Sequence, residues 1–258
     1  MKGVAMKKLC FLLMVFLYSF SLAQMDINRN IMEGDSLYKL FNYKDALNAY
    51  LEGYKIDSCN YDVNWKSSRV YIDIGETFKN NKERNANFKK GEFFARRAIQ
   101  IDSTGSKGHL YLSIALGRIA LDASAKERIK LSKEIKNEVD LAIAYNPNDD
   151  IAFHVLGRWN RKLANLSWIE RGFANLFLGG VPKEASNENA VKCFLKSIVL
   201  NPNHINHHLE LAMTYESMKQ KEKAIEEYQK CMELPETEFD DDQYKKTAQE
   251  RLKKLKKK

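Results

Sequence analysis

Breakers of regular structure are scarce in this chain: four prolines and 12 glycines in 258 residues. A chain so poor in them, and rich in Lys, Glu, Ala and Leu, favours helix throughout. No segment of useful length alternates apolar and polar residues with the period of a strand. Four cysteines, Cys10, Cys59, Cys193 and Cys231, are too far apart for a disulfide framework. Cys193 and Cys231 are expected as small core residues and Cys59 as a loop thiol. There is no phosphate-binding glycine loop, no G-x-S-x-G elbow and no H-E-x-x-H pair, so no enzyme class is supported and no cofactor is expected.

Only the start is strongly apolar. Lys7-Lys8 precede an unbroken apolar run from Leu9 to Phe20, then Ser21-Leu22-Ala23. A basic n-region, an apolar stretch of about a dozen residues and a small-x-small site predict a cleaved leader over 1–23, with Gln24 first in the mature chain. Export, to a periplasm, is the expected destination. The formal charge of +8 sits largely at the ends. Lys2, Lys7 and Lys8 leave with the leader, and 243–258 holds eight basic residues against Glu250, so 24–242 is close to neutral. That distribution argues against nucleic acid; 243–258 reads as a solvated basic helix or tail.

Self-similarity organises the stretch 24–242. Near the C-terminus Ala212 is followed by Ala224 twelve residues on, Tyr228 four later, Cys231 three later and then Pro235. The same intervals link Gly34, Ala46, Tyr50 and Gly53. Small residues let two antiparallel helices approach, the aromatic fills the gap beside them, and the proline stops the second helix. Three further second-helix segments end at Ser103, Pro147 and Pro202, each with an upstream first helix around Arg69, Ser113 and Gly157. Their longer spacings imply insertions of 10, 10 and 21 residues in the middle repeats. The longest contains Ser167-Trp168-Ile169-Glu170, a capping-box sequence, and predicts an extra amphipathic helix from Trp168 to Leu178 whose aromatics pack on the preceding pair. The expected fold is an all-α antiparallel helix-pair solenoid of about five repeats.

These repeats resemble tetratricopeptide repeats. The stretch from His154 to Pro235 further resembles the regulator of microtubule dynamics family. It does so through His154-Val155-Leu156-Gly157-Arg158-Trp159, Leu166-Ser167-Trp168-Ile169-Glu170, Ala190-Val191-Lys192-Cys193-Phe194-Leu195-Lys196 and Glu233-Leu234-Pro235. With a looser match upstream, the resemblance covers most of the chain. It implies an all-helical, non-catalytic adaptor. A secretory leader departs from the family's microtubule setting and looks bacterial, so microtubule binding is not carried over.

Helix spacing supplies a candidate binding site. His154, Arg158, Arg161 and Lys162 fall at i, i+4, i+7 and i+8, one stripe of a first helix. First helices line the concave face of such solenoids, and Lys66, Lys107 and Arg118 take the corresponding slots in earlier repeats. A basic groove of this kind suits an acidic peptide or a carboxylate, for which arginine offers bidentate geometry. As solvated charge, the stripe is expected to contribute little to folding. His204, His207, His208 and Glu210 cluster without thiolates, and no metal is expected there. The expected activity is a protein-protein interaction scaffold with a protein or peptide partner. Two alternatives stand beside it: a lipid-binding or membrane-associated module using the aromatic insertion, and a cryptic hydrolase requiring carboxylates and a histidine in one cleft.

Overall fold

A computed structural model describes residues 24–178 and 180–256. The leader reading over 1–23 lies outside the described residues. Among those residues every regular element is a helix. The chain forms two compact units, divided after Ser103.

The first unit holds α1 (24–39), α2 (Tyr43–Ile56), α3 (Tyr61–Thr77) and α4 (Asn81–Ile101). Its core gathers Ala46, Leu47, Tyr50, Val70, Tyr71 and Phe94. The small-to-aromatic spacing works as predicted, because a Cβ at Gly34 would collide with the Tyr50 ring. The turn into α2 puts Phe41 in the left-handed region at φ 59°, where Asn42 N donates to Leu37 O at 3.0 Å.

The second unit comprises α5 (Ser106–Asp122), α6 (Ala125–Tyr145), α7 (Asp150–Ala164), α8 (Trp168–Leu178), α9 (Asn187–Leu200), α10 (Ile205–Ser217), α11 (Lys221–Glu233) and α12 (Asp241–Lys256). Helices α5 and α6, α7 and α9, and α10 and α11 pack as pairs; α12 lies on α10 and α11. The last pair repeats the first pair's turn: Lys219 has φ 60° and Gln220 N donates to Tyr215 O at 2.9 Å. With two pairs in the first unit, the five expected repeats are present.

The insertions are absorbed as helix. Helices α4 and α6 each run 21 residues, against 14 in α2 and 13 in α11, so each ten-residue insertion lengthens the pair and leaves its turn short. The longest insertion forms α8 with the predicted boundaries. Its capping box closes as the sequence implies: Ser167 N donates to Glu170 Oε2 at 3.0 Å and Glu170 N to Ser167 Oγ at 3.4 Å. The basic end does not stand apart, since 243–256 belongs to α12, whose Ala248 is buried with Tyr228 and Cys231. No helix of the described residues is long and apolar enough to cross a membrane.

Candidate functional site

Asp149 fixes the start of α7, its Oδ1 accepting from Ile151 N and Ala152 N at 3.1 and 3.3 Å. From that start the stripe of His154, Arg158, Arg161 and Lys162 runs down α7. It does not face open solvent. Helix α10 packs across it and presents Glu210, which is 6% exposed, to both arginines. Arg158 Nε lies 3.3 Å from Glu210 Oε1, and Arg161 Nη2 donates to Glu210 Oε2. Burial alone would raise the Glu210 pKa; the two guanidiniums outweigh it and hold the carboxyl below its ordinary range. The expectation that these arginines are solvated is therefore corrected, the reason being the register in which α10 crosses α7.

Lys162 remains accessible to solvent at the end of the stripe. Partial burial, then the charges of Arg161 and Arg158, push its ammonium below the usual lysine pKa. Arg158, Arg161 and Lys162 thus meet Glu210, with Arg128 and Glu170 also acting on Lys162, which leaves a local excess of positive charge. Arg118 on α5 adds its charge near His154 and Asp240. Lys107 is engaged elsewhere in the unit, donating to Asp149 Oδ2 at 2.6 Å; burial disfavours its charge, but Tyr111, Asp149 and Asp150 together raise its pKa. Lys66 belongs to the first unit, where it donates to both Asp35 oxygens at 2.6 and 2.8 Å beside the Tyr50 hydroxyl. The structure therefore brings His154, Arg158, Arg161 and Lys162 together and gives Lys107 and Lys66 their own carboxylates.

The histidines are as deeply placed. His207 and His208 are 0% and 4% exposed. His208 Nδ1 meets Glu227 Oε2 at 2.7 Å, and its Nε2 lies 3.0 Å from Pro202 O. His204 and His207 stack in parallel, 4.1 Å between centroids and 6° between planes. Lone pairs in parallel ring planes cannot converge on one ion, so this pair is poorly disposed for a shared metal. Among the described residues no three donors are grouped to hold one.

Helix α8 corrects one expectation. Trp168 is 82% exposed, with Leu176 at 72% and Ile169 at 49%. The inward face is set instead by Ala174, fully buried, and by Glu170, which pairs with Arg128 of α6 at 3.0 Å. Trp168 precedes these by two and six residues and so lies on the far side of the helix.

Sequence reading missed what surrounds the stripe: Glu210 as its counter-ion, and Asp150 and Asn201 against His207. A signal was present for the first, since Glu210 is the only acid between Ile205 and Tyr215.

Comparison with known proteins agrees with this architecture. The profile described as Regulator of microtubule dynamics protein 1-3 matches residues 30–256. Regulator of microtubule dynamics protein 3 of Bos taurus is 24% identical over 230 residues, which are 88% of this chain and 49% of that protein. The chain thus spans about half the length of that relative. Regulator of microtubule dynamics protein 1 of Caenorhabditis elegans is 26% identical over 183 residues, covering 71% of this chain and 80% of that one. Among solved structures, a thermophilic tetratricopeptide-repeat protein of Thermus thermophilus superposes with a TM-score of 0.63 at 16% identity, covering 86% of this chain and 98% of that one.

Proposed function

Because the chain belongs to the regulator of microtubule dynamics protein 1-3 family, we propose that it is a non-catalytic interaction scaffold whose second unit binds an acidic peptide or chain-terminal carboxylate. The observation that carries this reading is the charge imbalance on α7. Arg158, Arg161, Lys162 and Arg128 face two carboxylates, Glu210 and Glu170, and partial burial followed by Arg161 and Arg158 lowers the pKa of solvent-accessible Lys162. A ligand carboxylate would restore the balance and draw further hydrogen bonds from the guanidinium forks. The cluster supplies cationic donors and offers no nucleophile-base pair.

Lys162 is the residue to test, because replacing it leaves Glu210 with both of its partners. Binding of a fluorescein-labelled, glutamate-rich peptide with a free C-terminus should weaken at least tenfold in Lys162→Glu and fall as salt rises. Amidation of the C-terminus then separates recognition of the terminal carboxylate from that of the side chains. Equal affinity of Lys162→Glu and wild type would refute the site.

The exposed stripe of α8, Trp168, Ile169 and Leu176, favours a second reading, contact with lipid through that face. Cosedimentation with anionic vesicles, lost in Trp168→Ser/Leu176→Ser, would support it. Export rests on the leader sequence: N-terminal sequencing of the protein from its native host should begin at Gln24.

A further inference from the structure

At the opposite end of α7 from Lys162, polar groups from two helices and the turn between α9 and α10 form a hydrogen-bonded chain. Asp150 Oδ2 accepts from Asn201 Nδ2 at 3.1 Å and meets His207 Nε2 at 3.0 Å. His207 Nδ1 in turn lies 3.0 Å from His154 Nδ1. Only one proton fits between those two nitrogens. With Nε2–H of His207 directed at Asp150, the neutral arrangement is His154 Nδ1–H donating to His207 Nδ1. His204 stacks on His207, its centroid 6.3 Å from that of His154, and its Nδ1 is buried without a hydrogen-bond partner.

Burial and neighbouring cations disfavour a second positive charge here, against the pull of two carboxylates. From α7 come Asp150 and Arg158, from α5 Arg118, from α10 His207, and from α12 the buried Asp241, whose Oδ2 accepts from Thr237 N and Glu238 N, whose Oδ1 has no hydrogen-bond partner, and whose charge, like that of Asp150, favours a proton on His204. Glu210 is committed to Arg158 and Arg161. Helix α9 contributes the ring of Phe194, which meets His154 edge-on at 5.6 Å. Asp150 is therefore the carboxylate hydrogen-bonded within the cluster, against three imidazoles. His109 and His208 differ in position, each facing a carboxylate of its own, Glu138 and Glu227.

We propose that His154, His204 and His207, anchored by Asp150, form an acid-sensitive joint that holds α7 to α10 and the turn before it, and that opens when more than one imidazole takes a proton. Two protons on the facing Nδ1 atoms would set N–H against N–H and remove the hydrogen bond across the joint. Burial, then His207, Arg158, His204 and Arg118, holds the pKa of His154 well below that of a free histidine. Burial, then His207, lowers His204 to about 4. An opened or unfolded chain would take these protons near pH ~6.5. Stabilisation by the closed joint is thus complete above that pH and is lost as pH falls toward about 4. Carboxylates with lowered pKa values, Asp150 and Glu210 among them, lose their contribution below the ordinary carboxyl range of ~4, and Asp240, raised by burial, acts in the opposite sense, so a loss on acidification above that range is assigned to the imidazoles. All five histidines of the chain lie beyond residue 104, which makes the first unit a reference within the same molecule.

Hydrogen exchange of the full chain followed by mass spectrometry, corrected for the intrinsic pH dependence of exchange, tests this. Between pH 6.5 and 5.0 the opening equilibrium of amides in α7 and α10 should rise on the order of a hundredfold, since each titrating imidazole contributes up to about tenfold per pH unit. Amides of α2 and α3 should change little. His154→Asn keeps a donor near the Nδ1 position, and His204→Asn places a favoured residue at the α10 N-cap. The double variant should respond less than about threefold over the same interval. Should it fail to fold at neutral pH, His204→Asn alone, altering a side chain at the edge of the cluster, should show a shallower dependence than wild type. Constant protection of α7 and α10 in wild type, a wild-type slope in either variant, or an equal slope in α2 and α3 would each overturn the proposal.

Discussion

The two units solve the burial of polar groups differently. In the first, the buried polar residues described are neutral: Asn64, Ser67 and Ser68. Its charged cluster, in which Asp35 joins Lys66, Arg69 and Tyr50, is partly open to water. In the second unit His109, Asp149, His154, His207, His208, Glu210, Glu227 and Asp241 are all buried. Such groups persist only when paired, because an unpaired buried charge costs several kcal/mol while a paired one returns little beyond an apolar replacement. Two sets of helix pairs on one plan thus differ in what can disturb them. Apolar packing dominates the first unit, whereas the second also depends on protons and ion pairs.

The largest expected effect comes from separating Glu210 from its partners. Arg158→Gln/Arg161→Gln leaves a buried carboxylate without its guanidiniums and should destabilise the second unit by about 3–5 kcal/mol. Chemical denaturation followed by circular dichroism would read the loss. Lys66→Gln is the matching change in the first unit, and there an ion pair whose aspartate stays about a third exposed should be worth less, about 1 kcal/mol. Equal losses from the two would remove the contrast between the units.

Packing gives the next size of effect. An added Cβ at Gly157 would fall 2.7 Å from Cε1 of the fully buried Phe194, so Gly157→Val should cost about 1–3 kcal/mol through overpacking. At Gly172 on α8 a Cβ meets nothing within 4 Å. Gly172→Ala should therefore stabilise, by up to ~1 kcal/mol, through helix propensity alone. Thermal melts of the two variants should shift in opposite directions.

These positions also show how far the sequence could be read. Period and intervals carried the repeat, since Gly34 with Tyr50 and Gly157 with Phe194 are pairings within one helix pair that small residues and aromatics announce. Capping chemistry placed α8 to the residue, because Ser167 and Glu170 bond each other. What a helix stripe meets was legible only in part: Glu210 stands out as the lone acid of its segment, but no spacing assigns it to α7. The spacing that put Arg158 and Arg161 on one face is the same whether water or Glu210 lies opposite, and Glu210 comes from 49 residues beyond Arg161. The joint was hidden for the same reason: Asp150 and His207 meet across 57 residues, through the crossing of two helices whose register no local pattern encodes.

The smallest predicted effect bears on α8. An amphipathic helix with Trp168, Phe173 and Leu176 reads as one that buries its aromatics, and truncating a buried tryptophan costs about 3–5 kcal/mol. The inward face, however, is fixed by the Arg128–Glu170 ion pair and the small Ala174. Trp168 stands opposite, and its removal takes little apolar surface out of contact. Trp168→Ala should change unfolding free energy by less than about 0.5 kcal/mol, as for other surface substitutions. Trp159 gives the internal contrast, 6% exposed with its Nε1 donating to Ser132 O at 2.8 Å. Its emission should stay blue-shifted in the variant, while the red, readily quenched part of the spectrum decreases. A loss of stability near that of a buried ring would place Trp168 in contact with its own chain and leave α8 without its exposed aromatic.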